Sequence, residues 1–413
     1  MNIGEGRPVG IAAALVTGLI LGLWWTGWTT QSPRPERRVT QPATPVGALF
    51  DPVHPEQAGR LVLTPFDSPF VPDWDSLFPP PYDGPQIPRP EQVRGIYVTG
   101  WTAGLTSRFN QLVRLVDETP LNAMVIDIKD DQGILTYRMP LRPGLDVDQQ
   151  TVKVADIDAL LATLRAHRIY PIARLVVFKD QLLPKAHPEM AVQRPDGRLF
   201  RDRAGYLWAN PYDRRVWEYN LAIAKDAASR GFAEIQFDYV RFPDIHRSVP
   251  LVFPVHDERT KADVIRDFLA YARQELRPYN VRLSADIFGL VTTVKDDLGI
   301  GQNLEAVASA VDWISPMAYP SHYAPGEFGL RDPDVEPYRT VYLSLRDAVR
   351  RLKAAGMATE IVPWLQDFSL RHAYGEQEVL AQVKAAADLG IDDWYLWNPA
   401  NRYTASALRR LER

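Results

Sequence analysis

The sequence predicts an α/β protein whose main body is a closed (β/α)8 TIM barrel, preceded by an N-terminal transmembrane helix and a proline-rich linker. Three observations carry this. Residues 11–28 form an uncharged stretch, 15 of the 35 prolines fall in 31–90, and from about residue 91 short apolar runs alternate with amphipathic helical stretches. The division is therefore 1–30 as membrane anchor or signal segment, 31–90 as linker and 91–413 as barrel domain. A composition of 46% hydrophobic and 24% charged residues is that of a globular protein and excludes a wholly disordered or fibrous chain.

The stretch 11–28 reads IAAALVTGLILGLWWTGW. As a helix it would span roughly 27 Å, close to the ~30 Å hydrocarbon core of a bilayer. A cleaved signal peptide would end in small residues. Here Trp24, Trp25 and Trp28 stand at the end instead, as in an interfacial aromatic belt, which favours an uncleaved anchor. Counting positive charges alone (Arg7 before, Arg34, Arg37 and Arg38 after) would put the following domain inside the cell. The long spacer, the absence of cysteine and the glycan-directed chemistry argued below favour an extracytoplasmic barrel, or a secreted one if the segment is cleaved. In the linker, proline fixes φ and cannot join a ladder, so the run Pro79-Pro80-Pro81 and its neighbours make a semi-rigid spacer.

Eight apolar, β-rich runs follow, at 95–101, 123–129, 170–178, 234–242, 282–288, 313–319, 361–368 and 394–398. Each is mostly apolar, as parallel strands covered on both faces should be. Helical spacing is seen in Ile157, Leu160, Leu161 and Leu164, and helices are predicted over 156–168, 214–230 and 259–277. Gly356 and Gly390 stand where helices should end. Eight alternations over about 320 residues point to a barrel. A doubly wound open sheet is the alternative, but no Gly-x-Gly-x-x-Gly follows the first run.

Several chemistries are excluded early. With 47 Lys and Arg against 51 Asp and Glu, the formal charge is −4, and no basic excess exists to hold nucleic acid. There is no cysteine to form a disulfide, a thiolate metal site or a nucleophile. None of the seven histidines lies in a strand run, and no His-x-His or His-Glu-x-x-His occurs, so no metal and no cofactor are expected.

Substrate sites of such barrels form at the carboxyl ends of the strands. Carboxylates end the second, fourth, fifth and seventh runs, and aromatic rings end the first, fourth, sixth, seventh and eighth. Sugars have apolar faces for aromatics and hydroxyl edges for Asp, Asn, Gln and Arg. Glycosidic cleavage needs two carboxyl groups. Asp238 and Asp286 come from neighbouring strands and are the expected catalytic pair, with Asp127 and Asp367 as secondary acidic candidates. Trp101, Lys129, Arg174, Trp208, Gln236, Tyr239, Arg241, Tyr319, Trp364, Gln366, Trp397 and Asn398 are the expected substrate-binding residues. Structural readings stand beside these. Asp238 could pair with Arg241, although the two start on opposite faces of an extended strand. Asp286 could cap the next helix, Lys129 could sit in a salt bridge, any one Trp could be core, and Asp130-Asp131 before Gly133 suits a turn.

The runs Trp208-Ala-Asn-Pro-Tyr212, Val216-Trp-Glu-Tyr-Asn220 and Gly231-Phe-Ala-Glu-Ile-Gln-Phe-Asp-Tyr-Val-Arg-Phe-Pro243 resemble a bacterial glycosyl hydrolase domain family of unknown specific function, assigned to the (β/α)8 glycosidase superfamily. Arg94-Gly-Ile-Tyr-Val-Thr, Ile126-Asp-Ile-Lys-Asp-Asp, Ala173-Arg-Leu-Val-Val-Phe-Lys-Asp180, Ser284-Ala-Asp-Ile-Phe-Gly289 and Ser315-Pro-Met-Ala-Tyr-Pro320 extend the likeness over about 93–402. The resemblance implies a glycoside hydrolase barrel. In related alpha-galactosidase-like barrels an Asp ending the fourth strand is the nucleophile, which implies that role for Asp238. Their acid often ends the sixth strand, where this sequence has no carboxylate, and Asp286 takes the place. The expected function is hydrolysis of an extracytoplasmic polysaccharide by two carboxylates. An inactive barrel that binds cell-envelope glycan, or an envelope deacetylase-type hydrolase, are the alternatives.

Overall fold

In the computed structural model the described residues are 80–141, 144–245 and 249–412. The expected transmembrane segment and the linker up to residue 79 lie outside them. No helix among the described residues is long and apolar enough to cross a membrane.

The elements follow in the order β1 (Arg94–Val98), α1 (Gly100–Gly104), α2 (Thr106–Asp117), β2 (Ala123–Lys129), α3 (Ile157–Ala166), β3 (Tyr170–Val176), α4 (Leu183–Ala186), α5 (Arg214–Arg230), β4 (Glu234–Asp238), α6 (Lys261–Leu276), β5 (Arg282–Phe288), α7 (Leu304–Ala308), β6 (Trp313–Met317), α8 (Pro337–Ala354), β7 (Glu360–Ile361), β8 (Trp364–Gln366), α9 (Glu376–Ala387), β9 (Trp394–Trp397) and α10 (Ala405–Leu408). Every strand pairing is parallel, and β9 pairs back to β1 through Gly95↔Tyr395, which closes the sheet. The pieces β7 and β8 form one stave, interrupted at 362–363, where Pro363 has no N–H to give a ladder. The result is an eight-stave parallel barrel, as the alternation of runs predicts.

Local chemistry sets the helix ends. Asp156, Asp213 and Thr260 accept from backbone N–H groups in the first turns of α3, α5 and α6. Gly356 and Gly390 adopt φ of 65° and 75° after α8 and α9, the left-handed turn that glycine enters without a Cβ penalty. Gly95 has a different cause. A Cβ there would lie 2.7 Å from the ring of Tyr395, so the β1–β9 seam closes only around glycine.

Two apolar cores result. One lies between the barrel and its helices, where Phe268 of α6 meets Phe178 and Phe237 at ring separations of 5.4 Å each. Truncating such a ring costs about 3–5 kcal/mol. The other lines the barrel interior and includes Tyr97, Val125, Tyr170, Ile172, Trp313, Trp364 and Tyr395. At the amino-terminal mouth, Ile87 packs on this inner cluster. Arg89 lies over Trp313 at 4.6 Å and pairs with Asp393 and Glu360 at 2.5 and 3.1 Å. The last residues before β1 therefore dock on the barrel floor.

The interior is polar along β4. Glu234, Gln236 and Asp238 share the inward face, two residues apart, and all three are buried. Glu234 accepts from Ser284 Oγ at 2.5 Å and Trp313 Nε1 at 2.9 Å, while its Oε2 has no hydrogen-bond partner. Burial raises its pKa from 4.5 to about 8. A carboxyl whose folded pKa exceeds its unfolded value stabilises when protonated. Glu234 therefore contributes fully below about pH 4.5, and the contribution is lost as pH rises through about 8. Glu234→Gln should remove of order 4–5 kcal/mol of the stability lost between pH 5 and 9. Denaturant unfolding at both pH values checks this, and equal losses in wild type and variant would contradict it.

Candidate active site

The carboxyl-end mouth gathers side chains from the first five staves, the seventh and the eighth. Arg174, on β3, is the hub. Its Nη1 donates to Asp127 Oδ1 of β2 at 2.5 Å, its Nε donates to Asp238 Oδ2 of β4 at 3.0 Å, and its Nη2 donates to the same Asp238 oxygen. The register places these partners, with Asp127 opposite Arg174 and Val176 opposite Asp238. Tyr97 of β1 donates its hydroxyl to Asp127 Oδ2 at 2.6 Å. Its ring stacks on Trp397 of β9, with centroids 3.9 Å apart and an interplanar angle of 12°. Arg174 lies 5.0 Å from the Trp397 ring and 5.3 Å from that of Tyr97.

Asp238 ends β4 at a sharp turn. Tyr239 takes φ of +48°, and its N–H donates to Asp238 Oδ1 at 2.6 Å. A non-glycine residue in that region costs about 1–3 kcal/mol and persists only where its surroundings hold it. Asp286 of β5 accepts from Trp364 Nε1 of β8 at 2.8 Å. It neither caps a helix nor has an ion-pair partner of its own among the described residues.

The two carboxyls differ in charge environment. Asp238 has a guanidinium and a backbone N–H on it. Asp286 is held well above the ordinary carboxylate range, first by burial and then by the negative charge of Asp238, against smaller opposing effects of Arg174 and Trp364. Burial also pushes Asp127 to about 6. Tyr319, after β6, is raised well above the usual phenol range by burial and by Asp286 and Asp238. The arrangement can keep one carboxyl charged and its neighbour protonated, the division that acid and base roles require.

Other predicted residues stand elsewhere. Lys129 is turned out of the barrel, because a register shift between Asp127 and Lys129 inserts an extra residue and breaks the alternation that would have put both on one face. Its ammonium is buried between barrel and α5, 2.7 Å from Asp180 and 2.9 Å from Asn220 Oδ1. Asp367 accepts from Thr404 N and Oγ1 at 2.8 and 2.6 Å and fixes the start of α10; burial raises it to about 6. Gln366 and Asn398 are committed to loop backbone, the first to Ser321 and Phe368 and the second to Asp367, Ala400 and Arg402. Gln236 lies deeper, reaching Ser315 at 3.4 Å.

The expected open aromatic wall is also different. Trp364, Trp208 and Tyr319 are buried, whereas Tyr239 and Trp397 are half-buried and Trp101 is exposed. Trp364 turns inward because its N–H satisfies Asp286, and Trp208 because its N–H meets Asp202 at 3.0 Å. Arg241 does not pair with Asp238. It donates to Phe242 O at 2.9 Å among aromatic rings. Sequence reasoning passed over Tyr97 and Glu234 as site residues. Period-two spacing along β1 and β4 was the available signal for both. The turn role of Asp130 is met, its Oδ1 accepting from Gln132 and Ile134. Among the described residues no three His, Asp or Glu side chains converge as metal ligands.

Comparison with known proteins gives the following. The model of the family described as "Putative glycosyl hydrolase domain" matches residues 95–403, well over half of the chain. No curated protein matches. The glycoside hydrolase domain of PgaB (BpsB) from Bordetella bronchiseptica is 17% identical over 77% of this chain and 98% of its own, with a TM-score of 0.57. The endo-beta-1,4-mannanase from Thermotoga petrophila is 11% identical over 76% and 69%, with a TM-score of 0.51. These two likenesses show the barrel fold. A hypothetical protein from Ruminiclostridium thermocellum ATCC 27405 is 38% identical over 50% of this chain and 98% of its own, with a TM-score of 0.42.

The placement of Lys129 is testable by stability. Lys129→Met leaves the Asp180 charge buried without its cation and should cost about 3–5 kcal/mol, with part regained in the double variant Lys129→Met/Asp180→Asn. Denaturant midpoints measure both, and a loss under about 1 kcal/mol for the single variant would contradict the buried pair.

Proposed function

The chain belongs to the glycosyl hydrolase family whose model spans residues 95–403, and from that premise we propose that it cleaves glycosidic bonds of an extracytoplasmic polysaccharide with Asp238 and Asp286. The observation that carries the assignment is the unequal treatment of two neighbouring interior carboxyls. Asp238 is charge-compensated by Arg174, and Asp286 is pushed towards its protonated form by burial and by Asp238.

Asp286 is the general acid. The Trp364 N–H occupies its Oδ1, which leaves Oδ2 to carry the proton to the glycosidic oxygen. As the C–O bond breaks, the leaving sugar takes that proton and positive charge develops at the anomeric carbon. Asp238, paired with Arg174, meets that charge as nucleophile or as base for the attacking water. If Asp238 is the nucleophile, Asp286, left ionised, recovers its proton from the water that hydrolyses the glycosyl-enzyme; if Asp238 is the base, it takes the proton of the attacking water and Asp286 is reprotonated from solvent. Asp127 and Tyr97 are positioning residues, since they fix Arg174 and through it Asp238. Trp397 offers the stacking face nearest this group.

Anchoring through residues 11–28 with the barrel outside the cytoplasm completes the proposal, supported by the uncharged stretch and the proline-rich spacer. Protease treatment of intact cells should digest the barrel; protection alongside digestion of a known external domain would refute this topology. A second reading is favoured by one observation. Asp238 and Asp286 are only 3% and 1% exposed, which suits a barrel that binds glycan without cleaving it.

One experiment separates the two readings. The full chain is offered a panel of bacterial and plant glycans, and reducing ends are counted. Asp286→Asn should slow release about 10²–10⁴-fold and remove the fall in rate on the alkaline side, where loss of the Asp286 proton stops catalysis. Asp238→Asn should abolish release. Undiminished release by Asp238→Asn, or glycan binding by wild type with no release, would end the hydrolase assignment.

A further inference from the structure

Beside the proposed catalytic pair lies a buried guanidinium that no carboxylate among the described residues pairs with. Arg241 is only 7% exposed, and its one hydrogen bond among the described residues goes to Phe242 O. Its guanidinium lies 4.5, 4.8 and 5.0 Å from the rings of Phe288, Trp208 and Tyr239. Among the described residues it makes no ion pair; Asp244, Asp238 and Asp202 act on it only at a distance. Burial lowers its pKa, the mark of a cation short of compensating charge. Lys179 lies 4.5 Å from the same Tyr239 ring and 3.7 Å from that of Tyr206, with the half-exposed Asp131 at 3.2 Å. The ring of the residue after Asp238 thus has two cations within about 5 Å.

The charge continues outward. The ring of Trp208 that holds Arg241 donates its N–H to Asp202, and Asp202 is spent on the N–H groups of Ala204, Tyr206 and Trp208. Asp202 itself lines, together with Arg194, Arg201 and Arg203, a cleft of about 270 Å³. Arg194 and Arg203 are exposed and make no ion pair among the described residues. One buried and two exposed guanidinium groups without an acid among the described residues suit a ligand that brings its own.

We propose that the glycan is acidic, its carboxylate or sulfate substituents docking on Arg241 and Lys179 beside the catalytic pair and continuing along the arginine-lined cleft. This rests on the hydrolase reading for the site's role, but the binding it predicts does not require cleavage. A chain of net charge −4 should repel polyanions in general, so a preference for them reports a local site.

The test measures binding of the full chain to matched pairs: polygalacturonate and hyaluronate against their carboxyl-reduced forms, and dextran sulfate against dextran. At low salt at least one charged member should bind about tenfold or more tightly than its neutral partner, with the gap narrowing as salt rises. Preference for the carboxylated or for the sulfated member supports the proposal in either case and identifies the substituent. Arg241→Gln should erase most of the preference. The surface variant Arg194→Ala/Arg203→Ala, which disturbs no core, should reduce it severalfold. Equal binding of charged and neutral members, failure of every charged member to bind, or full preference in both variants would overturn the inference. Asp238→Asn separates it from the hydrolase reading. A charge preference with no release by wild type would end that reading alone, whereas release from neutral and charged glycans at equal rates would end this one alone.

Discussion

One guanidinium holds the mouth of this barrel together. Asp127, Asp238 and Asp286 all point into an interior from which water is nearly excluded, and taking each charge out of water costs several kcal/mol. Arg174 is the cation that makes this possible. It binds two of the three carboxylates directly and leaves the third, Asp286, to meet the cost by holding its proton. The difference between the two carboxyls proposed as the catalytic pair is therefore one of partners, since residue type and strand position are alike. If Arg174 bound Asp286 instead, the roles would exchange.

The surrounding shell serves that hub. Tyr97 and Trp397 stack on each other under the guanidinium, and the hydroxyl of Tyr97 fixes the far oxygen of Asp127. The left-handed turn at Tyr239 puts its N–H on Asp238 and carries its ring within about 5 Å of Lys179 and Arg241. The same strained residue thus orients the carboxylate and displays the neighbouring positive charge. Trp364 reaches across from the seventh stave to hold Asp286, linking the two sides of the mouth.

Much of this was legible before folding. Period-two spacing on β4 placed Asp238 inward and argued against its pairing with Arg241, and apolar runs with glycine-ended helices laid out the staves. What escaped prediction depends on events that the alternation rule does not contain. The register shift beside Asp127 sent Lys129 to the outside, where Asp180 and Asn220 receive it. Trp364, read as a sugar platform, turned inward because a buried carboxyl needed its N–H. Asp367, read as a spare acid, is tied to Thr404, some 37 residues later in the chain. Each outcome follows from a hydrogen-bond or charge requirement set by distant segments, which local pattern cannot supply. The anchor segment lies outside the described residues.

The measurement that bears most directly on this account is the titration of Asp286 itself, followed by carboxyl carbon NMR of the full chain with labelled aspartate and assigned by the signal lost in Asp286→Asn. The account predicts that this carboxyl stays protonated well above the pH at which an exposed aspartate ionises, and that Asp238→Asn brings its titration downward by removing the neighbouring negative charge. An Asp286 signal that ionises in the ordinary range near 4, and does not move in Asp238→Asn, would contradict the division of roles on which the proposed chemistry stands.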